Sequence, residues 1–305
     1  MKNPIQNKYH GWIILNKPYD LSSNAALQKV RRVFNRAKAG HVGTLDPLAT
    51  GILPIALGEA TKLIPFLEKS QKTYEFEVTW GERRTTDDLE GDVMSLSENR
   101  PTSSEIEGTL PTFVGEIEQT PPLYSAIKIK GKPAYQYARQ NQEVSLKSRK
   151  VFIESLDLIQ VLSPDKARFR LVCGSGVYVR SLARDLGILL KTEGYVSRLH
   201  RSQVQSFKDS QAVSLEKVLE TEDHSELQGM VHSMDVVLDD IPVVIFEEDI
   251  CDRFRQGQRV YFPLQDLPAS IEKVVLCKSS SGSLCGILSY NEGLLSPKRI
   301  FNHST

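Results

Sequence analysis

The 305-residue sequence has no run approaching 18 consecutive apolar residues, so it offers no transmembrane helix. Its first residues, MKNPIQNKYHGW, lack the apolar core and small-residue cleavage site of an export signal, and the chain reads as soluble and cytoplasmic. Cysteine is scarce: Cys173, Cys251, Cys277 and Cys285 show no CxxC spacing, which removes the sequence argument for a zinc site or a dithiol redox pair. There is no GxxxxGK[ST] loop, no GxGxxG turn, no HExxH helix and no GxSxG elbow. The six histidines are scattered. The simplest remaining chemistry needs no metal and no cofactor.

An excess of one charge is also missing, since 38 basic side chains face 38 acidic ones. The balance is nevertheless uneven along the chain. Residues 1 to 210 carry 30 basic against 23 acidic groups, and the remainder carries 8 against 15. That asymmetry suits an anion-binding part followed by an acidic one, and it also occurs in ordinary proteins. Length and an apolar content of 40% imply two domains with a substantial core. Between Glu216 and Asp249 eleven carboxylates meet a single Lys217, and the domain boundary falls near residue 243, before about 60 strand-rich residues.

Several elements are legible from periodicity. Trp12 to Leu15 form a short apolar strand, and Ser22 or Ser23 caps a helix with Leu27, Val30 and Phe34 inward. TYEFEVTW alternates Tyr74, Phe76, Val78 and Trp80 against Glu75, Glu77 and Thr79, the pattern of a half-buried strand. Thr102 and Glu105 have capping-box spacing. Strands are expected near 151–161 and 167–173, then a helix on which Arg180 and Arg184 share a face. Lys128, Lys130, Lys132, Arg139, Arg149 and neighbouring lysines interleave with Tyr124, Tyr135 and Tyr137, a composition suited to RNA as well as to tyrosines in a core with lysines in solvent.

Within GHVGTLDPLATGILPIALG, glycines bracket Asp46 between Leu45 and Leu48. Apolar surroundings raise a carboxylate's pKa, and a nearby arginine lowers it; a reactive aspartate needs such a counterion. Asp-Pro is equally a helix-capping pair, so spacing alone leaves both roles open.

GHVGTLDPLATGILPIALGEATK, followed in order by KTYEFEVTWG, TTDDLEGDV, QTPPLYSAIKIKGKPAYQYAR and GVYVRSLARDLG, resembles the bacterial tRNA pseudouridine-55 synthases, the TruB family, over most of residues 10 to 207. The resemblance implies an α+β (α/β) pseudouridine synthase fold with a central, mostly antiparallel mixed sheet in residues 1–242. It also implies an RNA-gripping insertion at about 122–150 and a small PUA-like RNA-binding domain at 243–305. It implies isomerisation of a flipped-out uridine in the T-loop of transfer RNA, without metal or cofactor, by a monomer. By resemblance Asp46 is the nucleophile or base and Arg180 its partner. Tyr74 stacks on the target uracil, His41 holds the T-loop, and Tyr178 and Leu199 line the pocket. The family usually has Gly where Gln205 stands and Thr where Ser202 stands, so an altered turn is expected there. A guide-dependent synthase subunit for ribosomal RNA, a non-catalytic transfer-RNA chaperone and a metal-dependent hydrolase built on Asp46, Asp87 and Asp88 are the alternatives.

Overall fold

The computed structural model describes residues 9–125, 127–129, 131–138, 140, 142, 146–262 and 274–302. The first part of the chain supplies strands β1 (Gly11–Lys17), β2 (Ala39–His41), β3 (Thr50–Leu57) and β4 (Lys72–Trp80), then the hairpin β5 (Glu82–Arg84) and β6 (Val93–Leu96). β7 (Gly115–Gln119), the small hairpin β8 (Lys128–Ile129) and β9 (Lys132–Pro133), β10 (Arg149–Ser163) and β11 (Lys166–Cys173) follow. β12 (Gly194–Val204), β13 (Phe207–Lys208) and β14 (Val213–Ser214) complete this part. Its sheet runs β14-β1-β3-β12-β4-β11-β10-β7, with β2 on β3 and β13 on β12. Only β1 with β14 and β3 with β12 pair in parallel, so the sheet is mixed and mostly antiparallel.

The apolar run Trp12–Leu15 is continuous because β1 is covered on both faces. Ile13 and Leu15 join Leu27, Val30 and Phe34 of helix α1 (Ser23–Val33) in one core. Trp12 and Ile14 join Phe207, Met234, Leu276 and Ile287 in another. Burial of each such side chain contributes on the order of 1.5–3 kcal/mol. Ser22 caps α1, its side chain accepting from the Ala25 amide at 3.2 Å. Asn35 and Arg36, at φ +51° and +55°, end that helix.

The period-two pattern of β4 holds for Tyr74, Phe76, Val78 and Trp80, all buried. Glu77 departs from it and is buried on the opposite face. Arg168 on neighbouring β11 reaches its carboxylate at 2.8 Å, while Lys166 and Arg198 stand at 3.8 and 3.7 Å. A central strand flanked by arginines can bury an acid that alternation alone assigns to solvent.

Short helices α2 (Ile64–Glu68), α3 (Ser103–Thr109) and α4 (Ala134–Ala138) cross the connections, and α3 starts at the Thr102–Glu105 capping box. Helix α5 (Val179–Leu189) lies against β12, and α6 (Leu215–Glu220) and α7 (His224–Gly229) lead out of the first sheet. The second sheet comprises β15 (Val243–Phe246), β16 (Val260–Tyr261), β17 (Val274–Ser279), β18 (Leu284–Asn291) and β19 (Leu294–Ile300), ordered β15-β17-β18-β19-β16. Helix α8 (Glu248–Arg255) covers it with Cys251 and Phe254. Besides the apolar contact with Trp12 and Ile14, the second sheet is tied to the first part by the Lys278–Asp235 ion pair at 2.5 Å. Lys62 also donates to the Ile300 carbonyl at 2.7 Å.

Candidate active site

The loop from Val42 to Ala49 joins β2 to β3 and is held from several sides. Ser23 at the start of α1 both donates to the Leu45 carbonyl at 2.9 Å and accepts from the Leu45 amide at 2.8 Å. Two buried cations clasp it from beneath. The Lys17 amine donates to the carbonyls of Pro18, Leu21 and Pro47 at 2.9, 2.7 and 3.1 Å. The Arg201 guanidinium donates to the Ile52 and Gly43 carbonyls, each at 2.8 Å. Gly43 and Gly51 take φ of +66° and +101°, and a Cβ on Gly51 would stand 2.3 Å from the Arg201 carbonyl oxygen. Only glycine allows β12 to pass this close beneath the loop.

Asp46 leaves this loop toward the first turn of α5. Arg180 meets it with two nitrogens, Nε at 2.9 Å from Oδ2 and Nη2 at 3.0 Å from Oδ1. The guanidinium is itself fixed by the Thr86 and Tyr124 carbonyls, both at 3.0 Å, and by the Asp88 carboxylate at 3.5 Å. The Arg180 side chain is 5% exposed, whereas that of Asp46 keeps 35% exposure. The arginine is thus a fixed post and the aspartate faces the opening. Burial pushes the Asp46 carboxyl above its ordinary pKa, with the Arg180 charge pulling in the opposite direction.

The opening is a narrow cleft lined by Asp46, Leu48, Ala49, Asp88, Arg180 and Leu199, with neighbouring residues of β12. Its interior of about 20 Å³ has room for about one water molecule. Leu199, on β12 opposite Phe76, forms one wall. Tyr74 is buried on β4, paired with Arg201 across the strands; burial raises its phenol's pKa and keeps it protonated at neutral pH. His41 ends β2 with its Nδ1 buried and unpartnered, and burial followed by the charge of Arg201 lowers its pKa, favouring a neutral ring. Tyr178 immediately precedes α5, and Arg149 lies over its ring at 5.0 Å. Of the other basic candidates, Lys132 is exposed, Lys128 is described only by its backbone in β8, and Lys130 and Arg139 lie outside the described residues.

Sequence reasoning missed five supporting residues. Lys17 and Arg201 carry no local sequence pattern that marks them. Gln119 grips the start of α5, donating to the Tyr178 carbonyl at 3.1 Å and accepting from its amide at 2.8 Å. Asp87 and Asp88 are buried, and the i, i+4 pair on α5 takes one each, Arg184 meeting Asp87 at 3.1 Å and Arg180 standing 3.5 Å from Asp88. The shared helix face was the available signal, and it lacked only its acidic counterpart. These pairings also argue against the hydrolase alternative, since each of the three aspartates is engaged by a guanidinium.

Residues 31–179 match the family model described as TruB family pseudouridylate synthase (N terminal domain). Residues 180–239 match the tRNA pseudouridylate synthase B C-terminal domain. The chain is 41% identical over 307 residues to tRNA pseudouridine synthase B of Agrobacterium fabrum, an alignment covering 98% of this chain and 97% of that one. It belongs to the TruB family. The relative of the same name from Chelativorans sp. is 42% identical over 299 residues, with 95% of each chain covered. As a TruB family member the chain is a pseudouridine synthase, an isomerase. Its fold is shared with a chain in the structure of an H/ACA RNP bound to a substrate RNA containing 2'-deoxyuridine. That match has a TM-score of 0.73 at 19% identity and covers 96% of this chain and 86% of the other.

Proposed function

We propose that this chain converts uridine to pseudouridine at position 55 in the T-loop of transfer RNA, with Asp46 as the reacting carboxylate and no cofactor. The observation that carries this reading is the two-point pairing of Asp46 with a buried, immobilised Arg180 at the mouth of a narrow cleft. A group that merely bound RNA would gain nothing from a half-desolvated carboxylate beside a polyanion. The substrate follows from the relatives, which are named for transfer RNA.

The reaction is an isomerisation. The bond from the sugar C1′ to N1 of uracil breaks, the base turns, C1′ joins C5, and the proton on C5 leaves to be balanced by one on N1. Asp46 opens the sequence by attack on sugar or base or by taking a sugar proton, and all three need it ionised, as Arg180 favours. Tyr74 stacks on the uracil and, with its phenol protonated, takes part in the proton transfer at C5 without being the base. A base still stacked in its loop cannot present its glycosidic bond here, so the nucleotide flips out at a cost of a few kcal/mol. Because the cleft holds about one water, its walls, Leu199 among them, part to admit the ring. His41 and Tyr178 hold the refolded loop and the base, with Lys128, Lys130, Lys132, Arg139 and Arg149 on the phosphates. Residues 243–305 act as a PUA-like RNA-binding domain, a role supported by size, position and strand content.

Incubating the purified chain with a bare T-arm stem-loop and mapping pseudouridine tests the proposal. Product at position 55, undiminished by a chelator, is expected. Product only after addition of a guide RNA overturns it in favour of the guide-dependent alternative, and binding without product favours the chaperone.

A further inference from the structure

Three of the four cysteines, separated in sequence by 26 and 8 positions, converge in the second sheet. Cys251 comes from the inner face of α8, Cys277 from β17 and Cys285 from β18, where the register slips between Cys277 and Lys278. All three are fully buried, and their sulfurs lie within 4.8 Å of one another. The Cys251 and Cys277 sulfurs are 3.9 Å apart. Arg255, one turn beyond Cys251 on α8, points Nη2 at the Cys285 sulfur from 3.4 Å.

We propose that Cys251, Cys277 and Cys285 form a closed thiolate site for a thiophilic d10 ion, Cu(I) or Zn(II). A metal–sulfur distance of about 2.3 Å requires sulfurs about 3.8–4.0 Å apart in tetrahedral or trigonal geometry, so one pair is already in place and the others need only small rotations. Thiolates select this class of ion over hard cations such as Mg(II) or Ca(II). Among the described residues no histidine, carboxylate or fourth cysteine completes the group, which suits a three-coordinate monovalent ion. Three thiolates, one divalent ion and the Arg255 guanidinium sum to zero charge, which suits zinc. Binding forms up to three metal–sulfur bonds and releases the corresponding thiol protons to solvent, with no change in oxidation state. The ion would rivet α8 to the β17–β18 hairpin in a part of the chain where apolar contacts supply the rest of the core.

Reduced full-length protein is titrated anaerobically with Cu(I) in one arm and Zn(II) in the other, then desalted and assayed for metal. One equivalent of either ion is expected, with an ultraviolet thiolate-to-metal charge-transfer band, proton release and a raised Tm. Cys277→Ser should lose the band and the uptake, Cys173→Ala should keep both, and Arg255→Gln should weaken binding by about 10–100-fold. Circular dichroism establishes that each variant is folded, and the wild-type titration stands without any variant. Failure of both ions to bind the wild type overturns the proposal. So does uptake that survives in folded Cys277→Ser, and so does a Cys251–Cys277 disulfide that, once reduced, leaves thiols taking up no metal.

Discussion

The two sheets bury polar atoms in opposite ways. Around Asp46 the first sheet encloses full charges, each met by an opposite charge or a carbonyl: Arg180 by Asp46 and Asp88, Arg184 by Asp87, and Lys17 and Arg201 by backbone oxygens. The second sheet encloses three sulfurs among aliphatic and aromatic side chains, with a single guanidinium at their edge. Ion pairs in a partly dry cleft hold one carboxylate at its mouth, and each member of the network needs its opposite charge. A thiol cluster is tolerated as ordinary core and becomes a site only when an ion arrives.

The sharpest way to break this contrast is to remove the reacting charge. Asp46→Asn should abolish pseudouridine formation, a loss of at least roughly 10²–10⁴-fold, while transfer-RNA binding measured by filter retention stays within a few-fold of wild type. Normal turnover in that variant would leave the first sheet with no special carboxylate at all.

Next comes the charge partner. Burial raises the Asp46 pKa, so the acid limb of kcat/KM should lie above the ordinary carboxylate range, with activity rising as pH rises and Asp46 ionises. Arg180→Lys weakens the interaction that opposes this rise. The limb should therefore move to still higher pH, with kcat reduced. A pH–rate profile that stays in place would show that Arg180 serves the fold alone.

Lys17→Met is the third. Three carbonyls lose their donor, and unmet backbone acceptors cost about 1–3 kcal/mol each before the relief of desolvating an amine. Burial holds that amine's pKa at about 8, so part of the loss is returned. A net destabilisation of about 1–3 kcal/mol in urea melts is expected, and unchanged stability would mean the loop needs no clasp.

The smallest effect is at Gln205, the first residue of the two-residue turn joining β12 to β13. It holds φ of +49°, a left-handed conformation uncommon for a side chain of this kind. Gln205→Gly should leave activity untouched and change stability by no more than about 1 kcal/mol, in the stabilising direction.

How much of this was legible in the sequence depends on the range of the signal. Local patterns were readable: the Ser22 cap, the Thr102–Glu105 box and the inward row of Tyr74, Phe76, Val78 and Trp80 all rest on spacings of two to four residues. Asp46 and Arg180, 134 positions apart, became a pair only through family resemblance. The burial of Glu77 depended on Arg168 in the adjacent strand, 91 residues on, and that of Lys17 partly on a loop 30 residues away. The cysteine cluster had neither a local spacing nor a family motif behind it; the register of β17 on β18 and the packing of α8 across them assembled it. At Gln205 the chain holds φ of +49°, a left-handed value that glycine adopts without steric cost.

Strand β1 presents Ile13 and Leu15 to the core beneath the Asp46 loop and Trp12 and Ile14 to the core shared with β17 and β18. A hinge between the two halves would have to strip tryptophan bare on one side of that ribbon. The span from cleft to far sheet is consequently fastened through a single ribbon, whose two faces serve both cores at once.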